Sequence, residues 1–400
     1  MTANRADRSP RVALVHDWLV RWGGAERVLQ VLADLFPEAV IHAGVWSPDE
    51  KVGRVFGGRE IRTTFLQQIP GSGRHYPKLL PLMPAAFQRL DLSEFDLVVS
   101  TSHAFSKAVR PGASVPHVCY CHTPPRYLWD LYATYNPGWR GHLGRPLAWW
   151  LRRADAEAAR RVTRFVANSR TVADRIERHY GREAEVVHPP VDVARFGAAD
   201  AAEPGAANVT RSGVANTAQS GTANVPEHGA EDWFLTGGRL VPYKRTDLLV
   251  AAANREGFRL KVFGDGPQRA TLERMAGPTV EILGRVSDAA LDRLMARCRA
   301  FLFAAEEDFG ILPVEAQAAG RPVVAWGKGG ATETVVPDVT GLLVDEPTAE
   351  AFGRAAREAA RRTWDRDAIR AHAGGFSTAR FREGMLRAVG AEGIPIPSLG

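Results

Sequence analysis

Arg239 and Lys244 stand five positions apart in the run GGRLVPYKR, where a strand-like stretch gives way to a helix-like one. Two cations so placed can converge on a diphosphate, the guanidinium as a planar fork and the ammonium as a point charge. Further along, Phe263-Gly264-Asp265-Gly266-Pro267 reads as a glycine turn that lets backbone approach a ligand closely. A third loop, EEDFGILPVE, runs from Glu306 to Glu315 and sets Glu307 and Glu315 eight positions apart. A helix beginning near Leu312 or Pro313 would leave Glu307 on the loop and put Glu315 in the first helical turn. Amides at that helix start would face phosphate or sugar oxygens, and carboxylates could accept hydrogen bonds from hydroxyls. Gly310 permits an unusual backbone path, and spacing does not choose among Glu306, Glu307 and Asp308. Cations, close backbone and acids in three loops are the chemistry that an anionic sugar nucleotide needs.

Such loops must be carried to one edge by regular elements. Strand-like runs occur at RVALVH, AVIHAGVW, DLVVSTS, HVCYCHT and RFVANS, with helix-like segments between them. After the first run come Gly23 and Gly24, then AERVLQVLADLF, which places Val28, Leu29, Leu32, Leu35 and Phe36 on one helical face. Strand, glycine turn and helix open a Rossmann-like unit. A second series follows: WFLTGGRL, RLKVFGDG, VEILGRV, AFLFAAEE, PVVAWG and GLLVDE, separated by stretches such as TDLLVAAANRE and SDAALDRLMARC. The alternation predicts two α/β domains, each a parallel sheet covered on both faces. Between them, Gly205, Gly213 and Gly221 and Asn208, Asn216 and Asn224 recur every eight residues in a segment poor in large apolar side chains. That composition reads as a flexible insertion. The organisation expected is a domain over 1–196, the insertion over 197–230, and a domain over 231–375. An amphipathic helix within 376–400 returns to the first domain.

Composition narrows the class. With 45% hydrophobic and 24% charged residues over 400 positions, the chain suits two ordinary globular cores. Three cysteines, Cys119, Cys121 and Cys298, give no disulfide framework and fit a reducing cytoplasm. The first residues lack the apolar stretch of a secretory signal, and no window approaches the ~18–20 apolar residues that span a bilayer. A net charge of +6, spread over arginine-bearing helices, reads as a basic surface around an anionic-ligand site rather than a nucleic-acid face. Phe65 to Phe87 and LAWWLRR, from Leu147 to Arg153, mix apolar and basic residues. They could rest on an anionic membrane or hold a lipid-linked acceptor. A proline-rich loop and an ordinary helix would carry the same pattern.

In order along nearly the whole chain stand HDWLVRWGGAERVL, HTP, FVANSRTVADRI, HPPVDVARF, GRLVPYKRTDLLV, FGDGP, EEDFGILPVEAQAAGRPVVAWGKGGATETV and FSTARFREGM. This ordered set resembles the retaining GT-B glycosyltransferases of family 4, mannosyl- and glucosyltransferases among them. The resemblance implies two Rossmann-like domains facing a cleft, and transfer of a hexose from a GDP- or UDP-linked donor without a metal. It implies that Arg239 and Lys244 bind the donor diphosphate, that Glu315 holds the ribose and that Glu307 touches the sugar hydroxyls. Backbone at Gly264, Phe309, Gly310 and Ile311 would line the donor, and Arg285 and Val286 would lie near the base. Gly24 would approach the reacting centre and His122 would sit beside the transferred sugar. A dinucleotide-dependent oxidoreductase is the alternative on fold, but the first glycine loop lacks G-x-G-x-x-G. A nucleotide-sugar binder without turnover is the other.

Overall fold

The structure, a computed structural model, describes residues 10–136, 138–199 and 231–393. The repeat-bearing segment, from residue 200 to 230, lies outside the described residues. The chain divides into two compact units, one holding residues up to 191 and from 376 on, the other residues 192–375.

The first unit is built on seven strands: β1 (Val12–His16), β2 (Val40–Ala43), β3 (Ile61–Thr63), β4 (Leu97–Ser102), β5 (His117–Cys121), β6 (Arg164–Ala167) and β7 (Ala184–Val186). All pair in parallel in the order β3-β2-β1-β4-β5-β6-β7. Parallel pairing requires crossovers, and the crossover helices bury both faces. Alternation along β1 shows this directly. Val12 and Leu14 join a core with Val28, Leu29 and Leu32 from the helix Gly24–Leu35 and with Phe36, its C-cap, while Ala13 and Val15 join another with Phe87, Phe105 and Leu151. Cys119 and Cys121, alternate residues of β5, share a third apolar cluster with Val162, Phe165 and Ile176. Phe65 to Phe87 is largely consumed by packing: Leu66, Met83 and Phe87 are buried and Leu79 and Leu80 lie against the same core.

The second unit repeats the plan with β8 (Phe234–Arg239), β9 (Leu260–Asp265), β10 (Val280–Gly284), β11 (Phe301–Phe303), β12 (Val323–Trp326) and β13 (Gly341–Val344). Their parallel order is β10-β9-β8-β11-β12-β13. Phe234, Val262, Leu302 and Val324 pack against Leu249, Val250, Phe352 and Ala356 of the helices Thr246–Glu256 and Ala349–Arg361. Residues 192–196, assigned to the first domain on sequence, belong to this unit. The helix Val193–Ala199 is tied in by Arg195, whose guanidinium grips both oxygens of Asp292. A bidentate ion pair fixes position in a way that the apolar pattern of VDVARF did not reveal.

The chain crosses between the units twice, and within the first unit the two crossing points meet. The Val191 N–H donates to the Phe376 carbonyl at 3.0 Å, and Val191 bridges Ser377. Ser377 then caps the helix Thr378–Gly390, which sends Phe381, Met385, Leu386 and Val389 into the core beside β1. Phe381 meets Tyr120 edge-on at 5.5 Å. Truncation of such a buried ring leaves a cavity, so Phe381→Ala is expected to destabilise the first unit by about 3–5 kcal/mol. In urea its unfolding midpoint should fall while the second unit's transition stays in place.

Candidate functional site

A doubly wound sheet reverses strand order once, and the loops beyond the C-terminal ends of the two strands flanking that reversal part to leave a crevice. In the second unit the flanking strands are β8 and β11. Beyond β8, the chain makes a 3-10 turn over Pro242–Lys244 and enters the helix Thr246–Glu256. Beyond β11, residues 304–310 lead to the helix Ile311–Ala318. All six of the residues in question therefore sit at the reversal, Arg239 closing β8, Lys244 in the turn after it, Glu307, Phe309 and Gly310 on the loop beyond β11 and Ile311 opening the helix.

One ion pair joins the two loops. Lys244 Nζ lies 2.8 Å from Glu307 Oε1, and both side chains are mostly shielded from solvent. Burial by itself would lower the Lys244 ammonium, but the Glu307 carboxylate overcomes it and holds the lysine above its ordinary range. Of the three neighbouring acids that spacing leaves open, Glu307 is the one paired with this lysine. Arg239 is exposed and donates to the Tyr243 hydroxyl at 3.1 Å.

The glycines set how closely these loops approach. Gly238 and Gly264 are register partners on β8 and β9, both with positive φ, and a Cβ on Gly264 would stand 1.8 Å from the Gly238 carbonyl oxygen. A Cβ on Gly238 would lie 3.0 Å from Leu312 and 3.1 Å from the Lys244 Nζ, so the bare backbone lets lysine and helix start close in. Gly310, at φ +86°, turns the chain one residue earlier than sequence predicts. The helix thus begins at Ile311, and Glu315 falls in its second turn rather than its first. There it is buried, within electrostatic reach of Arg195. The N–H groups of Ile311 and Leu312 have no acceptor inside the helix. The Gly330 N–H donates to the Glu307 carbonyl at 2.8 Å, pinning this loop to the one after β12.

Arg285 and Val286 follow β10, two strands away from β8, with Arg285 exposed and bonded to Asp265 at 3.2 Å. His122 and Gly24 belong to the first unit. Gly24 does not lie in a loop: it is the first residue of the helix Gly24–Leu35, with Gly23 as its N-cap. His122 follows β5, half-buried, and its Nε2 has no hydrogen-bond partner among the described residues.

Around His122 the first unit holds a constellation that the sequence reading passed over. Its strand order reverses between β1 and β4, and Asp17, the residue after β1, is fully buried there. Asp17 Oδ2 accepts the N–H groups of His103 and Ala104 at 2.7 and 2.9 Å, and Oδ1 those of Phe105 and Ser106 at 2.7 and 2.6 Å. Burial would raise this carboxyl; the His103 ring, 3.3 Å away, and the backbone donors outweigh it and hold Asp17 below its ordinary range. The rings of His16, His103 and His122 follow one another at 6.1 and 6.0 Å. Burial first, then the neighbouring rings, pushes His122 well below its ordinary value, which leaves it a neutral hydrogen-bonding group at pH 7. Next to them, buried Lys107 pairs with Asp155, whose other oxygen accepts from Trp129 Nε1 at 2.9 Å and the Tyr180 hydroxyl at 2.7 Å.

Two family models match, in the order of the two units: Glycosyltransferase Family 4 over residues 22–195 and Glycosyl transferases group 1 over residues 223–373. This chain belongs to the GT-B, family 4-like glycosyltransferases. Among curated relatives, the GDP-mannose-dependent alpha-mannosyltransferase of Mycolicibacterium smegmatis is 38% identical over 109 residues, 27% of this chain and 29% of that protein. The D-inositol 3-phosphate glycosyltransferase of Salinispora tropica is 32% identical over 254 residues, 57% of this chain and 50% of that protein. The matches thus span from under a third to about half of these relatives. The solved structure of Anabaena HepE in complex with UDP and glucose superposes with a TM-score of 0.64 at 17% identity, covering 95% of this chain and 99% of that one. At that identity the likeness is one of fold, and it is the GT-B fold.

For this family 4-like chain the ion pair across the second reversal makes a direct prediction. In Glu307→Gln burial acts on Lys244 without the opposing carboxylate, so the ammonium should lose its proton at a lower pH than in the native chain. NMR titration of the lysine, assigned by its loss in Lys244→Arg, reads this. Superimposable titrations would show that Glu307 does not govern the charge.

Proposed function

We propose that this protein is a retaining hexosyltransferase and that its second unit holds a nucleoside-diphosphate sugar at the β8–β11 reversal. The observation that carries the reading is the convergence of Arg239, Lys244, Glu307 and the start of the helix Ile311–Ala318 on one crevice. When the bond between the sugar carbon and the phosphate oxygen breaks, the sugar becomes oxocarbenium-like and negative charge gathers on the leaving diphosphate. Fixed cations and amides already aimed at that charge need no reorganisation as it develops. Lys244, kept protonated by Glu307, and Arg239 supply the positive charge, and Ile311 and Leu312 supply N–H donors. Glu307, lying across the crevice, is suited to sugar hydroxyls, and buried Glu315 to the ribose.

The donor we favour is a GDP-linked hexose such as mannose. The Mycolicibacterium relative is named as GDP-mannose-dependent, while UDP is the nucleotide bound in the HepE structure, which shares only the fold. To the first unit we assign the contacts with sugar hydroxyls of the acceptor side. His122, neutral and with an unpartnered buried Nε2, can accept or donate a hydrogen bond without carrying charge. With two side-chain cations available, the chemistry as read needs no metal, and turnover should persist in EDTA.

Arg239→Ala and Lys244→Ala are each expected to cost about 2–4 kcal/mol of transition-state stabilisation, read as kcat/KM for transfer or for donor hydrolysis. Native-like rates in both variants would remove the cations from the mechanism. Glu315→Ala should act chiefly on the donor KM. A panel of GDP- and UDP-hexoses, followed by thermal shift and by sugar release, separates transferase from binder: stabilisation without turnover of any donor would favour the latter.

A further inference from the structure

The helix Trp139–Arg160 of the first unit buries Ala148, Leu151, Asp155, Ala158 and Ala159 against the sheet. Its other side carries Leu143, 71% exposed, Leu147, 47%, Trp149, 62%, and Trp150, 45%. These are four of the eight large apolar side chains exposed among the described residues, and they fall within eight consecutive positions. Single apolar residues on a surface need no explanation, but a cluster does. Leu143, Leu147 and Trp150 follow helical spacing and form one stripe. Arg145 and Arg153, both exposed, flank it, with Trp149 beside them. From Trp139 to Ala154 the sequence holds four arginines and no acid. The first acid after it, Asp155, is turned inward and already paired with Lys107.

We infer that this face of the helix lies on an anionic phospholipid surface. Indole rings favour the boundary between headgroups and hydrocarbon, where an apolar body and a polar N–H are both satisfied. Arginines beside them meet phosphate oxygens, and the one exposed acid that follows on this face, Glu157, is paired with Arg160 and Arg161. No helix among the described residues is long and apolar enough to cross a membrane, so this one lies along the interface rather than through it. A second copy of the chain is the poorer occupant, because pairing the face with itself would bring the arginines of both copies together. The contact is peripheral, electrostatic in approach and apolar in grip.

The experiment is co-sedimentation of the full chain with vesicles of phosphatidylglycerol and phosphatidylcholine, against phosphatidylcholine alone. Binding should be confined largely to the anionic vesicles, weaken with added salt and shift the tryptophan emission to the blue. Arg145→Glu/Arg153→Glu and Trp149→Ser/Trp150→Ser should each weaken it by about tenfold or more. Both pairs are exposed, and unchanged thermal unfolding of the variants checks that the fold is intact. Equal affinity for both vesicle types, no binding to either, or variants that bind like the native chain would overturn the assignment. So would a native dimer that Trp149→Ser/Trp150→Ser dissociates, since the face would then be an interface between copies.

Discussion

Where a parallel sheet reverses its winding, two neighbouring strands send their chains away in opposite directions, and nothing in the sheet's own hydrogen bonding holds those loops together. Both units of this protein meet that constraint with charge. In the first, the Asp17 carboxylate after β1 collects four consecutive amides from the loop after β4. In the second, the Lys244 ammonium after β8 reaches the Glu307 carboxylate after β11. The two solutions have opposite consequences for ligands. Four N–H groups gathered in one turn would form an anion-binding nest, but Asp17 already occupies it, so the first crevice carries its own anion. The second ends in a helix start and in cations, one of them Arg239 at the surface, which is where the proposed function puts a phosphate.

The apolar architecture serves those contacts. Burial by itself works against the charge on Lys244, the carboxylate at 2.8 Å reverses that, and the separation rests on close backbone packing at Gly238 and on the Gly330 bond to the Glu307 carbonyl. In the first unit, Lys107 is likewise kept charged against burial by Asp155, which gathers Trp129 and Tyr180 around the same carboxylate. That network fixes the 3-10 turn Ser106–Ala108, and so the loop whose amides Asp17 holds.

The strands of both sheets are legible in the sequence because each lies between two layers of helices and reads as a compact apolar run. RVALVH and DLVVSTS needed no partner to be recognised. Ile61–Thr63 and Ala184–Val186 were not, being three-residue strands at the sheet edges with half-buried side chains and no distinctive pattern. The chemistry divides in the same way. GGRLVPYKR and the spaced glutamates are local signals, and the loops they mark do converge. Asp17 escaped notice because its partners lie 86 to 89 residues away, and a carboxylate after a strand looks no different whether it faces water or four amides. Glu307 could not be told from Glu306 and Asp308 until the lysine chose it. The start of the helix at Ile311 hung on one φ angle at Gly310, which spacing does not encode.

The order in which this molecule can assemble follows from the bond between Val191 and Phe376. The first unit is written in two pieces, and its core lacks Phe381, Met385 and Leu386 until the helix Thr378–Gly390 is made. The second unit, though it comes later in the message, is whole by residue 375. During synthesis from the N-terminus, the earlier sheet must therefore wait, with one face of β1 and the helix Gly24–Leu35 incompletely covered, while the later one folds. Emergence of the helix Thr378–Gly390 supplies the missing residues and closes the core begun at β1.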